Sequence, residues 1–318
     1  MRKACMFVAQ FLDKTFIARK WKCLKDNECS VGLFSKRHMF NEYEINKYIY
    51  DSILSGEPFL VGRFGGFELN MMVALEFGRK KRYEQCLHDL CANAGFFPKQ
   101  MGVAKGFLGV MLDFCKQCDV LAMWQPYEGY FIKNYMAPDV HLTQLQCIEP
   151  WKSPKLPWSA ALKGKKVLVI HPFADTIEKQ YKKREQLFPN TDILPEFQIR
   201  TLKAVQTAAG ESDDRFETWF DALEWMHEET KKIDFDVAIL GCGAYGAPLA
   251  AKIKKDGKQA IHLGGVTQIL FGIMGKRWDG SMNNWCNYIK VLENDSWTRP
   301  NEKERPSGAD KIEGGCYW

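Results

Sequence analysis

The apolar positions along this chain change period several times, and each change marks an element. "NEYEINKYIYDSILSG" (41–56) carries apolar residues at helical spacing and closes on glycine, so it predicts a helix. "PFLVGRFGGFELNMMVALEFGRKKR" (58–82) follows as a short strand, a glycine turn and a helix. One or two further helices run through "YEQCLHDLCANAGFF", and "CDVLAMW" (118–124) reads as a short buried strand. Residues 126–160, rich in proline and aromatics, predict an irregular connection or the boundary between two lobes.

From Lys163 the pattern becomes regular. "KGKKVLVIHPF" is an apolar strand with a polar exit at His171, "ADTIEKQYKKREQLF" is a helix, and "DILPEFQIRTLK" supplies another strand. "RFETWFDALEWMHEETKKI" places its tryptophans at helical spacing, which assigns them to a core. "DFDVAILGCGAYGAPLAAKIKKDGKQAIHLGG" (234–265) is strand, glycine turn, helix, strand, and "VTQILFGIMGKRWD" begins as a helix and ends on a basic pair. This alternation predicts an α/β fold: a Rossmann-like, mainly parallel sheet with helices on both faces. The expected organisation is an N-terminal helical segment (1–40), an α/β lobe (41–160), a Rossmann-like lobe (161–292) and a docked tail (293–318) ending "EGGCYW".

Composition narrows the function classes. The 318 residues are 46% hydrophobic, enough for a substantial core, and the net charge of +5 is spread thinly along the chain, which argues against a nucleic-acid partner. Eleven cysteines with irregular spacing and no secretory leader point to a reducing, cytoplasmic compartment. Cys115 and Cys118 have half of a zinc spacing without the other half, so they are assigned to packing. "MRKACMFVAQFLDKTFIARKWK" is too interrupted by charge to span a bilayer; packing on the domain is the default, and peripheral association with the inner membrane face stays open. No Gly-x-Ser-x-Gly elbow, His-Glu-x-x-His helix or Walker lysine is present.

Ligands of wound parallel sheets bind at the carboxyl ends of the strands. That rule gathers His171, the turn Gly241, Gly243, Tyr245 and Gly246, and the exit His262, Gly264 and Gly265 onto one edge. The glycine turn suits a phosphate at a helix N-terminus, yet the exit of the second strand lacks the acid that holds an adenosine ribose. Gln268 lies in the first turn after the diglycine, and Lys276 and Arg277 would either counter a diphosphate, if the chain folds back, or form a solvated helix end. His171 and Asp175 are candidates for acid–base work. In the N-terminal half Arg63, Gly65, Gly66 and Glu68 form a second strand-to-helix turn: either an arginine for phosphate with a carboxylate for a metal or a sugar hydroxyl, or an Arg63–Glu68 ion pair that pins the turn.

"VGRFGGFELN" resembles the R-F-G-D-G-E segment of the GT-D glycosyltransferases, a bacterial family first catalogued as a domain of unknown function. "GAYGAPLAAKIKKDGKQAIHLGG" is similar to that family's C-terminal part, and most of the chain resembles an uncharacterised bacterial group associated with surface-polysaccharide gene clusters. The resemblance implies a nucleotide-sugar donor, a glycan or lipid-linked acceptor, and a divalent cation (Mn or Mg) as cofactor. Arg63 and Glu68 match the family's arginine and glutamate, but Gly66 stands where its metal-binding aspartate belongs, which reduces the metal site to Glu68. In that case Arg63, Lys276, Arg277 and the turn amides would neutralise the leaving diphosphate in place of a cation. The open alternatives are an NAD-dependent or other sugar-modifying enzyme and a non-catalytic nucleotide-sugar-binding partner. The oligomeric state is not fixed by the sequence.

Overall fold

Successive residues of each central strand face opposite sides of one sheet, and both sides are buried. Leu60, Leu168, Ala238, Leu240 and Ala260 enter one core, while Val61, Val169, Val237, Ile239 and Ile261 enter the other. Strands covered on both faces read as continuous apolar runs, and that is what "FLV", "VLVI", "VAIL" and "AI" are. The computed structural model describes residues 28–31, 35–78, 80–282 and 286–318.

The strands are β1 (Glu28–Val31), β2 (Ser35–Phe40), β3 (Phe59–Gly62), β4 (Val120–Met123), β5 (His141–Gln144), β6 (Lys166–His171), β7 (Gln198–Lys203), β8 (Val237–Leu240) and β9 (Gln259–His262). They form one sheet in the order β1-β2-β5-β4-β3-β9-β8-β6-β7. Every pairing is parallel except the β1–β2 hairpin at the edge. The expected parallel α/β sheet is therefore present, and the two halves of the chain meet within it where β3 pairs with β9.

Helices of eight residues or more are α1 (Glu42–Ser55), α2 (Gly66–Phe77), α3 (Lys80–Ala94), α4 (Phe107–Gln117), α5 (Glu128–Tyr135), α6 (Ala174–Tyr181), α7 (Trp219–Lys231) and α8 (Gly246–Lys255). Side chains of α2, α3, α4, α5, α7 and α8 fill the first core, and those of α1 and α6 the second, so helices cover both faces as expected. The ends are set locally. Asn41 and Glu44 exchange side-chain-to-backbone hydrogen bonds of 3.0 and 2.8 Å to start α1, and Gly56 stops it with φ of 73°. Trp219 of α7 is fully buried, as its spacing requires, and Cys115 and Cys118 are buried thiols that burial pushes up in pKa.

Two expectations need correction. Of the helical segment expected over 1–40, residues 1–27 and 32–34 lie outside the described residues, and the rest is strand. Met39, buried at 2%, pairs with Leu142 across β2 and β5, and that parallel register outweighs any local preference. Residues 126–160 are not wholly irregular either: they contain α5 and β5. The latter is four residues long with a polar residue at each end, too short for a period to show.

Candidate functional site

The chain runs out from β3 towards β4 on one side of the seam, while β9 arrives from β8 on the other. A crevice opens at such a switch point, above the carboxyl ends of the strands. Here it is a cavity of about 280 Å³ whose walls come from the exits of β3, β4, β6, β7, β8 and β9 and from the C-terminal segment.

Arg63 leaves β3 and lines this cavity. Its guanidinium makes no hydrogen bond to any described residue, and its Nε is buried without a partner. The ring of Trp124 lies 5.2 Å from the guanidinium carbon, and Gly264 permits that approach, since a Cβ there would sit 2.5 Å from Nη1. Burial pulls the Arg63 pKa below the ordinary arginine value, with the charge of Glu68 opposing. No Arg63–Glu68 ion pair forms among the described residues, so the pinned-turn alternative is not what the structure contains. Glu68 instead folds back over its own helix start; a Cβ on Gly65 would lie 1.9 Å from its Oε2. Burial raises its pKa, while its own backbone amide and Arg63 lower it.

The β8 turn is built differently. Gly243 has φ of 57°, and a Cβ there would meet the Ala94 carbonyl oxygen at 2.7 Å. Gly246 packs on His262, where a Cβ would lie 2.4 Å from Nε2, and it does not line the cavity. Tyr245 lines it, but its ring stacks on Trp219 with centroids 5.1 Å apart and its hydroxyl is 3.0 Å from Thr207 Oγ1. Gly241, Gly264 and Gly265 line the cavity too. Gln268 spends both amide hydrogens on the carbonyls of Ile273 (3.1 Å) and Tyr317 (3.2 Å), leaving Oε1 without a partner. His262 Nδ1 is unpartnered as well, and burial, then the Arg63 charge, depress that imidazole to about 3.

His171 Nδ1 accepts a 3.0 Å hydrogen bond from the Phe173 amide, which leaves Nε2 as the N–H tautomer, and burial lowers its pKa to about 3. It is a neutral hydrogen-bond donor rather than a base. Asp175 is exposed and outside the lining. The N-terminus of α6 is filled from within the chain: the Glu304 carboxylate accepts from the amides of Asp175 (2.9 Å) and Thr176 (3.3 Å) and from the Thr176 hydroxyl. Lys276 also lies outside, 3.7 Å from Asp310, whereas Arg277 does reach the cavity. Arg277 is bound by the Glu313 carboxylate and donates to the Tyr317 hydroxyl at 3.3 Å.

Residues passed over in the sequence reading complete the walls: Trp124 and Gln125 after β4, Thr207 after β7, and Glu313, Tyr317 and Trp318 near the end of the chain. The signal for the first two was their place one and two residues past a strand end. The "EGGCYW" segment was readable as docked but not as part of a site.

A divalent cation does not fit the donor set at Glu68. Position 66 is a glycine and offers no side-chain ligand beside Glu68, and burial pushes the Glu68 carboxyl towards its protonated form. Among the described residues the one group of three possible metal ligands is Glu224, His227 and Glu228 on α7, none of which lines the cavity. No described helix is long and apolar enough to cross a membrane.

The chain matches no family model and no curated protein. It is similar to two solved structures of the domain of unknown function 1792. One, described as having a distinct glycosyltransferase fold, is 12% identical with a TM-score of 0.41, over 84% of this chain and 92% of that one. The other, its selenomethionine-substituted form, is 13% identical with a TM-score of 0.41, over 83% and 96%.

Proposed function

We propose that this chain binds a nucleotide-sugar donor in the cavity and transfers its glycosyl group to a glycan or lipid-linked acceptor, as in surface-polysaccharide synthesis. The observation that carries the reading is Arg63: it lines the cavity half-buried, and its Nε, buried without a hydrogen-bonding partner, costs free energy until an anion supplies one. The leaving nucleoside diphosphate is such an anion. In this reading Arg63 and Arg277 neutralise it without a cation, and the His171 Nε2–H donates a hydrogen bond to a ligand oxygen. Glu68, a carboxyl that lines the cavity at the start of α2, receives the proton of the acceptor hydroxyl. A dinucleotide cofactor is disfavoured because β9 ends in His262-Leu263-Gly264-Gly265 with no ribose-binding acid.

Thermal unfolding with UDP, GDP, their sugar conjugates and NAD tests this. Nucleoside diphosphates and their sugars should raise the melting temperature, with about 2.7 kcal/mol of stabilisation at a hundredfold excess over Kd, and EDTA should leave the shift intact. Stabilisation by NAD alone, or a shift that vanishes with EDTA and returns with manganese, would overturn it. Donor binding with no turnover on any acceptor would leave a binding protein.

A further inference from the structure

We infer that the corner formed by Gly66, Trp124 and Gln125 is a pyranose-binding subsite, deepening and resting on the reading of the cavity as a nucleotide-sugar site. Gly66 is the first residue of α2, and a Cβ there would lie 3.3 Å from Gln125 Nε2 and 3.6 Å from Trp124 Cη2. The missing side chain therefore leaves these two groups open to the cavity, which all three residues line.

Trp124 is 39% exposed, yet it is held in place: its Nε1 donates to the Phe64 carbonyl at 2.7 Å and its backbone amide to the Glu128 carboxylate at 3.1 Å. An indole fixed in this way presents its apolar surface without collapsing onto the protein, and the C–H face of a pyranose packs on such a surface. The Gln125 carboxamide makes no hydrogen bond to any described residue, so its donor and acceptor are free for sugar hydroxyls. Asn70, four residues after Gly66 on the same face of α2, adds a second carboxamide to the lining. The Arg63 guanidinium beside the indole marks where the charged part of a donor ends. A pyranose joined to a diphosphate on Arg63 would lie against Trp124; so would an acceptor pyranose brought to the same bond.

Titration calorimetry and saturation-transfer NMR on the full chain test this with UDP, GDP, a panel of their pyranose conjugates, and methyl pyranosides. The variants are Gly66→Ala, which fills the gap at a backbone position without positive φ, and Trp124→Ala. The subsite predicts that at least one conjugate binds wild type about fivefold or more tighter than its parent nucleotide, with saturation reaching the sugar ring. Both variants should abolish that gain, weakening the conjugate by a larger factor than the bare nucleotide. A gain confined to methyl pyranosides would support the subsite and assign it to the acceptor. Conjugates that bind no tighter than the bare nucleotide, with no pyranoside binding, would overturn the subsite alone. Equal weakening of bare nucleotide and conjugate by the variants would overturn it in favour of a base-stacking site. Absence of all binding would overturn both proposals.

Discussion

The molecule has two strand-to-helix glycine turns above the same sheet edge, and they are opposites. The turn after β8 carries the stronger sequence pattern, Gly-x-Gly-x-x-Gly, but its glycines are explained by their own neighbours: the Ala94 carbonyl at Gly243 and the His262 ring at Gly246. The turn after β3 has no such pattern, yet it presents Arg63, whose Nε is buried without a partner, and the bare position at Gly66, which faces Gln125 at the exit of β4. A glycine motif records that backbone must come close to something, and here that something is mostly the protein. Unpaired polar groups in a cavity are the better sign of a ligand, because leaving them unsatisfied costs free energy in its absence.

The largest expected effect separates the two turns by stability. Gly243→Ala should lose about 2–4 kcal/mol in denaturant unfolding, through its left-handed backbone and its contact with a fixed carbonyl, whereas Gly66→Ala should stay within about 0.5 kcal/mol of wild type. Comparable losses at both positions would erase the distinction. A smaller effect concerns the third wall. Glu313, itself at φ of 46°, occupies Arg277, so Glu313→Gln should tighten nucleoside diphosphate binding about three- to tenfold by calorimetry. Weaker binding would mean that Glu313 orients Arg277 rather than competing for it.

A third comparison is in pH dependence. His171 and His262 sit at about 3 when folded and near 6.5 when unfolded, so the unfolded chain binds more protons in that window and stability falls as pH drops below about 6.5. Glu149 works in the opposite direction and away from both turns. Burial raises it to about 7 against the hydrogen bonds from Tyr288 (2.5 Å) and Trp151 (3.0 Å), so its contribution is complete below pH 4.5 and is lost as pH rises to 7. Glu149→Gln should therefore raise the melting temperature at pH 8 relative to pH 5 while keeping the acid loss. A variant that removes the acid loss would move its origin away from the imidazoles.

The parallel sheet was legible in the sequence because doubly buried strands must carry continuous apolar runs, as 167–170 and 237–240 do. The short strand β5 was not, since its four residues follow a proline-rich stretch and carry no period of their own. The candidate site was legible wherever it lies at a strand exit, as at Arg63, His171 and His262. Contributions depending on distant backbone were hidden: Glu304 filling the α6 N-terminus displaced Asp175 from any role there, and the docking of Cys316–Trp318 along Gly275–Trp278 brought Arg277 into the cavity while leaving Lys276 outside.

The central claim is that the unpaired Arg63 marks an anion site. Its most direct test is calorimetric titration of UDP and GDP into wild type and Arg63→Met. The account predicts binding to wild type, a loss of about a hundredfold or more in the variant, and unliganded stability equal to or above wild type, because a half-buried charge whose Nε has no partner has been removed. Equal affinity for the two proteins, or a variant that binds normally but unfolds more easily, would contradict it.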